Sequence, residues 1–166
     1  METCELSLET GSAAETQTWG RRLAALLRPG DVLALAGDLG AGKTAFTQGL
    51  ARGLGITEPV TSPTFTLINQ YRTAEGIRLQ HVDSYRLANA PLEMWDVGLA
   101  DLFAGDDIVV IEWADRIPGL LPEERLEIVF SYLGEGWRRL CFKAHGARYV
   151  GMIGQFHLVT LSPCQV

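Results

Sequence analysis

Eight residues, Gly37-Asp38-Leu39-Gly40-Ala41-Gly42-Lys43-Thr44, constrain this chain more than any other segment. They fit G-x-x-x-x-G-K-[ST] at every position, and their flanks matter as much as the match. Before them, Val32-Leu33-Ala34-Leu35-Ala36 is a short, wholly apolar run, as expected of a strand covered on both faces. After them, Ala45 to Leu54 reads as a helix that stops at Gly55. In a strand–loop–helix unit the glycines let backbone N–H groups turn inward around a phosphate, where a Cβ would intrude. The helix N-terminus adds partial positive charge at the same spot. The segment therefore predicts a nucleoside triphosphate site. Gly40, Ala41, Gly42 and Ala45 supply its backbone, Lys43 reaches the β- and γ-phosphates, and the Thr44 hydroxyl ligates Mg²⁺.

The other segments complete an α/β domain. Ser12-Ala13-Ala14-Glu15 has the form of a capping box, so a helix begins near Ala13, and Pro29-Gly30 stops it. Thr66–Tyr71 and Ile77–Asp83 read as strands joined at Ala74-Glu75-Gly76. Pro91 to Phe103 is helical in pattern, and Ile108-Val109-Val110-Ile111 is a second buried strand. Leu126–Leu133 and Trp137–Lys143 alternate around Gly134-Glu135-Gly136, which predicts a closing hairpin. The expected fold is a single phosphate-loop NTPase domain over residues 1–148. It has a mixed central sheet, helices on both faces and a C-terminal hairpin. Residues 149–166 show no clear period and read as a tail of unknown role.

A phosphate loop needs a carboxylate for its magnesium shell, best placed at the end of a neighbouring strand. Asp83 and Glu112 both satisfy that condition, and the sequence alone does not say which one touches the metal. Thr61-Ser62-Pro63-Thr64-Phe65 places three hydroxyls around a proline. It is either a turn held by its own side chains or a segment that senses a γ-phosphate. His81 by itself reads as a satisfied strand residue, and Trp113, Trp95 and Tyr85 by their spacing as core.

With a net charge of −6, the chain is poorly suited to grip RNA or DNA through backbone phosphates over a broad face. Action on a nucleic acid would run through a partner. Cys4, Cys141 and Cys164 form no close pair in sequence, which points to unpaired cysteines in a reducing compartment. No apolar run is long enough for a membrane helix, and Met1 to Glu9 lacks Lys and Arg, so the expected location is the cytoplasm.

Taken together, these segments resemble the bacterial TsaE family, small ATPases needed to make threonylcarbamoyladenosine in tRNA. The matching residues begin with Glu15-Thr16, Gly20 and Pro29-Gly30-Asp31 and continue through the phosphate loop. They go on through Thr61-Ser62-Pro63-Thr64-Phe65-Thr66-Leu67 and His81-Val82-Asp83-Ser84-Tyr85-Arg86-Leu87 to Ile111-Glu112-Trp113-Ala114, and the likeness covers roughly residues 12–148. The resemblance implies ATP or ADP with Mg²⁺ as cofactors, and Lys43, Asp83, Glu112 and Thr64 as catalytic residues. Thr44 and Glu112 would ligate the metal, with Asp83 in the same region, and Ser62 and Thr64 would sense the nucleotide. It also implies nucleotide contacts from Ser12 or Thr16, from Trp113, and from Gly136 or Arg138. The family's partners are the TsaD and TsaB proteins, which transfer the group to tRNA, so tRNA is met only indirectly. ATP turnover is expected to be weak alone and stimulated by that pair.

Two other readings share the loop. A kinase of a small metabolite would need an acceptor pocket and an arginine-rich lid, for which Arg125, Arg138 and Arg139 are the late candidates. A protein that binds nucleotide without hydrolysing it would have no use for placed acids. No Asn-Lys-x-Asp segment is present to read guanine.

Overall fold

The computed structural model describes residues 4–63, 67–87 and 92–161, with backbone alone for 92–97. Its elements are β1 (Leu6–Thr10), α1 (Ala13–Ala24), β2 (Val32–Gly37), α2 (Lys43–Gly53), β3 (Ile68–Arg72) and β4 (Arg78–Asp83). They continue with α3 (Leu92–Ala104), β5 (Ile108–Glu112), β6 (Arg125–Gly134), β7 (Trp137–His145) and α4 (Ala147–Leu161).

The strands form one seven-stranded sheet in the order β1-β7-β6-β2-β5-β4-β3. β2 pairs in parallel with β5 and β6, and β4 in parallel with β5. The outer pairs β1–β7, β6–β7 and β3–β4 are antiparallel. The wholly apolar runs of β2 and β5 lie at the centre of the sheet, where both strand faces are covered. Leu33, Leu35, Val110 and Ile128 face a core built with α1, α2 and α4, through Leu23, Phe46, Leu50 and Phe156. Val32, Ala34, Val109, Ile111 and Val82 face the other core, where Leu99 of α3 packs.

Local signals act where they are expected to. Ser12 caps α1 by accepting from the Glu15 amide at 3.2 Å, and the Glu15 carboxylate accepts from the Gly11 amide at 2.8 Å. α1 and α2 approach so closely that a Cβ on Gly49 would collide with the Gln17 carbonyl. Ala there would force the two helices apart.

Three features depart from expectation. β1 carries no strong signal of its own and is a strand because it pairs with β7, Leu6 opposite Phe142. That pairing also brings together Cys4 and Cys141, 137 residues apart in sequence, and they are joined as a disulfide. The expectation of unpaired cysteines is corrected for these two, and Cys164 lies outside the described residues. Residues 147–161 are a helix rather than a tail, and the boundary drawn at 148/149 falls inside it. Tyr149, Met152, Ile153 and Phe156 are buried in the α1–α2 core. Arg148 anchors the helix start by donating to both carboxylate oxygens of Asp31, at 3.1 and 2.7 Å. The helix is hard to read from sequence because exposed Val150, Leu158 and Leu161, with Gly151 and Gly154, stand where a surface helix usually carries polar residues.

Candidate functional site

The parallel pairing aligns the carboxyl ends of three strands, the place where open α/β sheets bind ligands. Asp83 is directly opposite Glu112, and Leu35 of β2 is opposite Glu112 on its other side. The chain leaves β2 at Gly37, whose φ of +120° and contact with the Phe130 backbone exclude any side chain. It then turns back as the glycine loop and enters α2 at Lys43. Gly42, the residue before the helix, has φ +107°, and a Cβ there would come 3.1 Å from Cδ of Arg138. Positive φ calls for glycine at both positions, and at Gly37 the Phe130 backbone also leaves no room for a Cβ.

This geometry brings the two strongest metal-ligand candidates into contact. The Thr44 hydroxyl lies 3.1 Å from each carboxylate oxygen of Glu112, which is only 2% exposed. Oε1 of Glu112 is also 2.7 Å from Nε2 of His81, which is completely buried. Asp83 accepts from the Ser62 hydroxyl at 3.1 Å and from the Tyr85 amide at 2.9 Å. The hydroxyl segment therefore meets the second acid through Ser62. Thr64 lies outside the described residues.

The Lys43 ammonium donates to the carbonyls of Gly37 and Asp38 at 2.7 and 2.8 Å and sits 3.8 Å over the Trp113 ring. Burial lowers its pKa, against the pull of Glu112, Asp115, Asp38 and Asp83. Trp113 itself is in the left-handed region, φ +60°, a conformation that costs about 1–3 kcal/mol in a non-glycine residue. Ser84 holds this strained corner: its hydroxyl lies 2.7 Å from both the Glu112 and Trp113 carbonyls. Arg116 lies 4.0 Å over the Tyr85 ring, and Tyr85 packs edge-on against Trp113.

Between these groups is a cavity of about 660 Å³, lined by the glycine loop with Lys43, Thr44, Ser62, Asp83, Glu112 and Trp113. Arg86, Arg116 and Arg138 also line it, so four cations face two carboxylates in a chain whose net charge is −6. Nε and Nη1 of Arg138 are buried without a partner among the described residues. Desolvated guanidinium donors with nothing to bond are costly unless an anion completes them. A phosphate chain fits that requirement. The Thr44–Glu112 pair fits Mg²⁺, which is commonly held by one or two protein oxygens plus substrate phosphates and water.

Not every expected contact faces this cavity. Gly40, Gly42, Ala45 and Arg138 line it, whereas Ser12, Thr16, Ala41 and Gly136 do not. Ser12 is spent as the α1 cap. Thr16 is buried behind the loop, 2.7 Å from the Thr10 hydroxyl, with its methyl near Gly42. Arg139 pairs with Glu9 and Arg125 donates to the Pro122 carbonyl, so neither forms a lid. Tyr85, expected in the core, is 46% exposed and lines the cavity, as do Leu39, Leu67 and Arg116. Their roles depend on which loops meet, and no local pattern carries that. Trp113 lines the cavity as well.

Comparison with known proteins decides the family. A family model described as threonylcarbamoyl adenosine biosynthesis protein TsaE matches residues 10–140. The chain belongs to the TsaE family. A TsaE of Bacillus subtilis is 46% identical over 146 residues, covering 87% of this chain and 89% of its own. One from Treponema pallidum is 43% identical over 129 residues, with 78% and 93% covered. Both bear the name tRNA threonylcarbamoyladenosine biosynthesis protein TsaE. The crystal structure of Bacillus subtilis YdiB superposes with a TM-score of 0.79 at 40% identity, over 93% of this chain and 95% of that one. The TsaE model match contains the glycine loop, both acids and Arg138, and it ends before α4.

Proposed function

We propose that this protein is a magnesium-dependent ATPase that supports threonylcarbamoyladenosine modification of tRNA. The observation that carries the reading is the contact of Thr44 with Glu112 beneath a phosphate loop, in a chain of the TsaE family.

The backbone amides from Gly40 to Thr44 and the α2 N-terminus hold the phosphates. Lys43 exchanges its loop carbonyls for β- and γ-phosphate oxygens. Arg138, from the neighbouring hairpin, supplies Nε and Nη1, donors that no other described residue satisfies. Thr44 and Glu112 hold Mg²⁺, which supplies neutralisation of the charge developing on the transferred phosphoryl group. Asp83, held by Ser62 and the Tyr85 amide, is placed to order the attacking water. Thr64 belongs to the same sensing segment. Phosphoryl transfer asks little covalent chemistry of the protein, so positioning and electrostatics account for most of the rate.

The relatives' names place them in tRNA modification, and the chain's negative charge suits a protein that does not hold tRNA itself. The partners are the TsaD and TsaB proteins, and the site of action is the cytoplasm. No helix among the described residues is long and apolar enough to cross a membrane. The test is hydrolysis of MgATP by the pure protein, without and with the TsaD–TsaB pair. Slow turnover that the pair accelerates supports the proposal. Turnover indifferent to the pair sinks the partnership, and no turnover under either condition sinks the ATPase assignment.

A further inference from the structure

His81 is a fully buried polar group beside the candidate site. It lies in the middle of β4, paired with Val110 of β5 and Asn69 of β3, and is completely inaccessible to solvent. Leu79 and Val82 on the same strand show that apolar side chains serve this sheet well. A Leu in place of the imidazole would bury no polar atom. The histidine instead leaves Nδ1 buried with no partner among the described residues, a cost that packing does not explain. Its other nitrogen makes one contact, 2.7 Å to Oε1 of Glu112. A carboxylate oxygen can only accept, so Nε2 carries the hydrogen and donates it.

Resting on the proposed metal-dependent ATPase reading, we infer that His81 is a positioning residue that selects which oxygen of Glu112 is free for the magnesium site. Among the described residues, two donors reach Oε1, the His81 imidazole and the Thr44 hydroxyl, whereas Oε2 has Thr44 alone within hydrogen-bond distance. Fixing Oε1 from below stops the carboxylate from rotating and leaves Oε2 with its spare lone pairs toward the loop. Groups that orient a metal-binding side chain from behind commonly change metal affinity by about 10–100-fold when removed. The sheet register makes the device possible. Residues 81 and 83 share one face of β4, so His81 supports Glu112 while Asp83, two positions on, faces Ser62.

The test compares His81→Gln, whose side-chain amide reaches roughly as far as Nε2, with His81→Asn, whose amide stops short of Glu112, and with His81→Leu. Mn²⁺ affinity of the protein–ADP complex is read by electron paramagnetic resonance, and ADP affinity is read separately in chelator. The Gln variant should bind Mn²⁺ within about threefold of the unaltered protein, and the Asn and Leu variants about 10–100-fold more weakly. All three should keep their metal-free ADP affinity. Equal Mn²⁺ affinity in Gln and Asn variants overturns the inference, as does a parallel loss of metal-free ADP binding. If the Leu variant does not fold, the Gln–Asn contrast still decides. Absence of Mn²⁺-dependent ADP binding in the unaltered protein would overturn the metal reading itself, an outcome distinct from failure of His81 alone.

Discussion

The hydroxyl of Thr44, on the first turn of α2, stands 3.1 Å from both oxygens of Glu112 at the end of β5, 68 residues further along the chain. This contact joins the phosphate loop to the strand beside it and makes one site of two motifs. Glu112→Gln keeps the size of the side chain and removes its charge. It should lower ATP turnover by about 100–1000-fold, the scale seen when one preorganised electrostatic group is lost. Nucleotide affinity should change by only a few-fold. Thr44→Ala should raise the Mg²⁺ concentration needed for half-maximal turnover by about tenfold. Steady-state assays across a magnesium titration check both, and a normal midpoint for Thr44→Ala would remove it from the metal site.

Lys43 predicts a proton linkage. Burial holds its pKa below the ordinary lysine value in the free protein. Phosphates favour the ammonium, so the pKa rises when nucleotide binds. Between those two values the complex holds more protons than the free protein. Binding then takes up protons, and affinity falls as pH rises, by at most about tenfold per pH unit for one group. Below the free-protein value no linkage remains. Titration calorimetry of ADP in two alkaline buffers of different ionisation heat measures the uptake, and Lys43→Met should abolish it.

Trp113 should report occupancy. Its ring lies under the Lys43 ammonium, which must move when phosphates arrive. ADP should therefore change the tryptophan emission of the unaltered protein, and Trp113→Phe should lose that change while remaining folded. A nucleotide-dependent signal that survives in Trp113→Phe would point instead to another of the 4 tryptophans.

The C-terminal helix is expected to matter for stability rather than for chemistry. Phe156 is 1% exposed, packed edge-on against Trp19 and tilted against Phe142. Phe156→Ala should cost about 3–5 kcal/mol. Tyr149 accepts from the Val32 amide at 2.8 Å, so Tyr149→Phe orphans a buried N–H and should cost about 1–3 kcal/mol. Chemical denaturation measures both. Removing residues 148–166 should leave no cooperative unfolding transition, since it strips four buried side chains from the core and the anchor of Asp31.

The sequence by itself determined what repeats locally. The glycine loop, the apolar strands on either side of the site, the capping box and the two acids at strand ends are all short-range patterns, and the structure has each in its place. The local pattern left open which acid meets Thr44. Parallel pairing of β2 with β5 rather than β4 decides for Glu112, because strand order is set by burial and crossover connections, not by neighbours in the chain. The same non-local pairing carries Arg138 over Gly42, joins Cys4 to Cys141 and makes a strand of residues 6–10. His81 and Phe156 show the physical reason most directly. One has its imidazole within reach of a carboxylate 31 residues away, and the other has its ring against an aromatic 137 residues earlier. Neither contact exists until the sheet has assembled and the helices have packed on it.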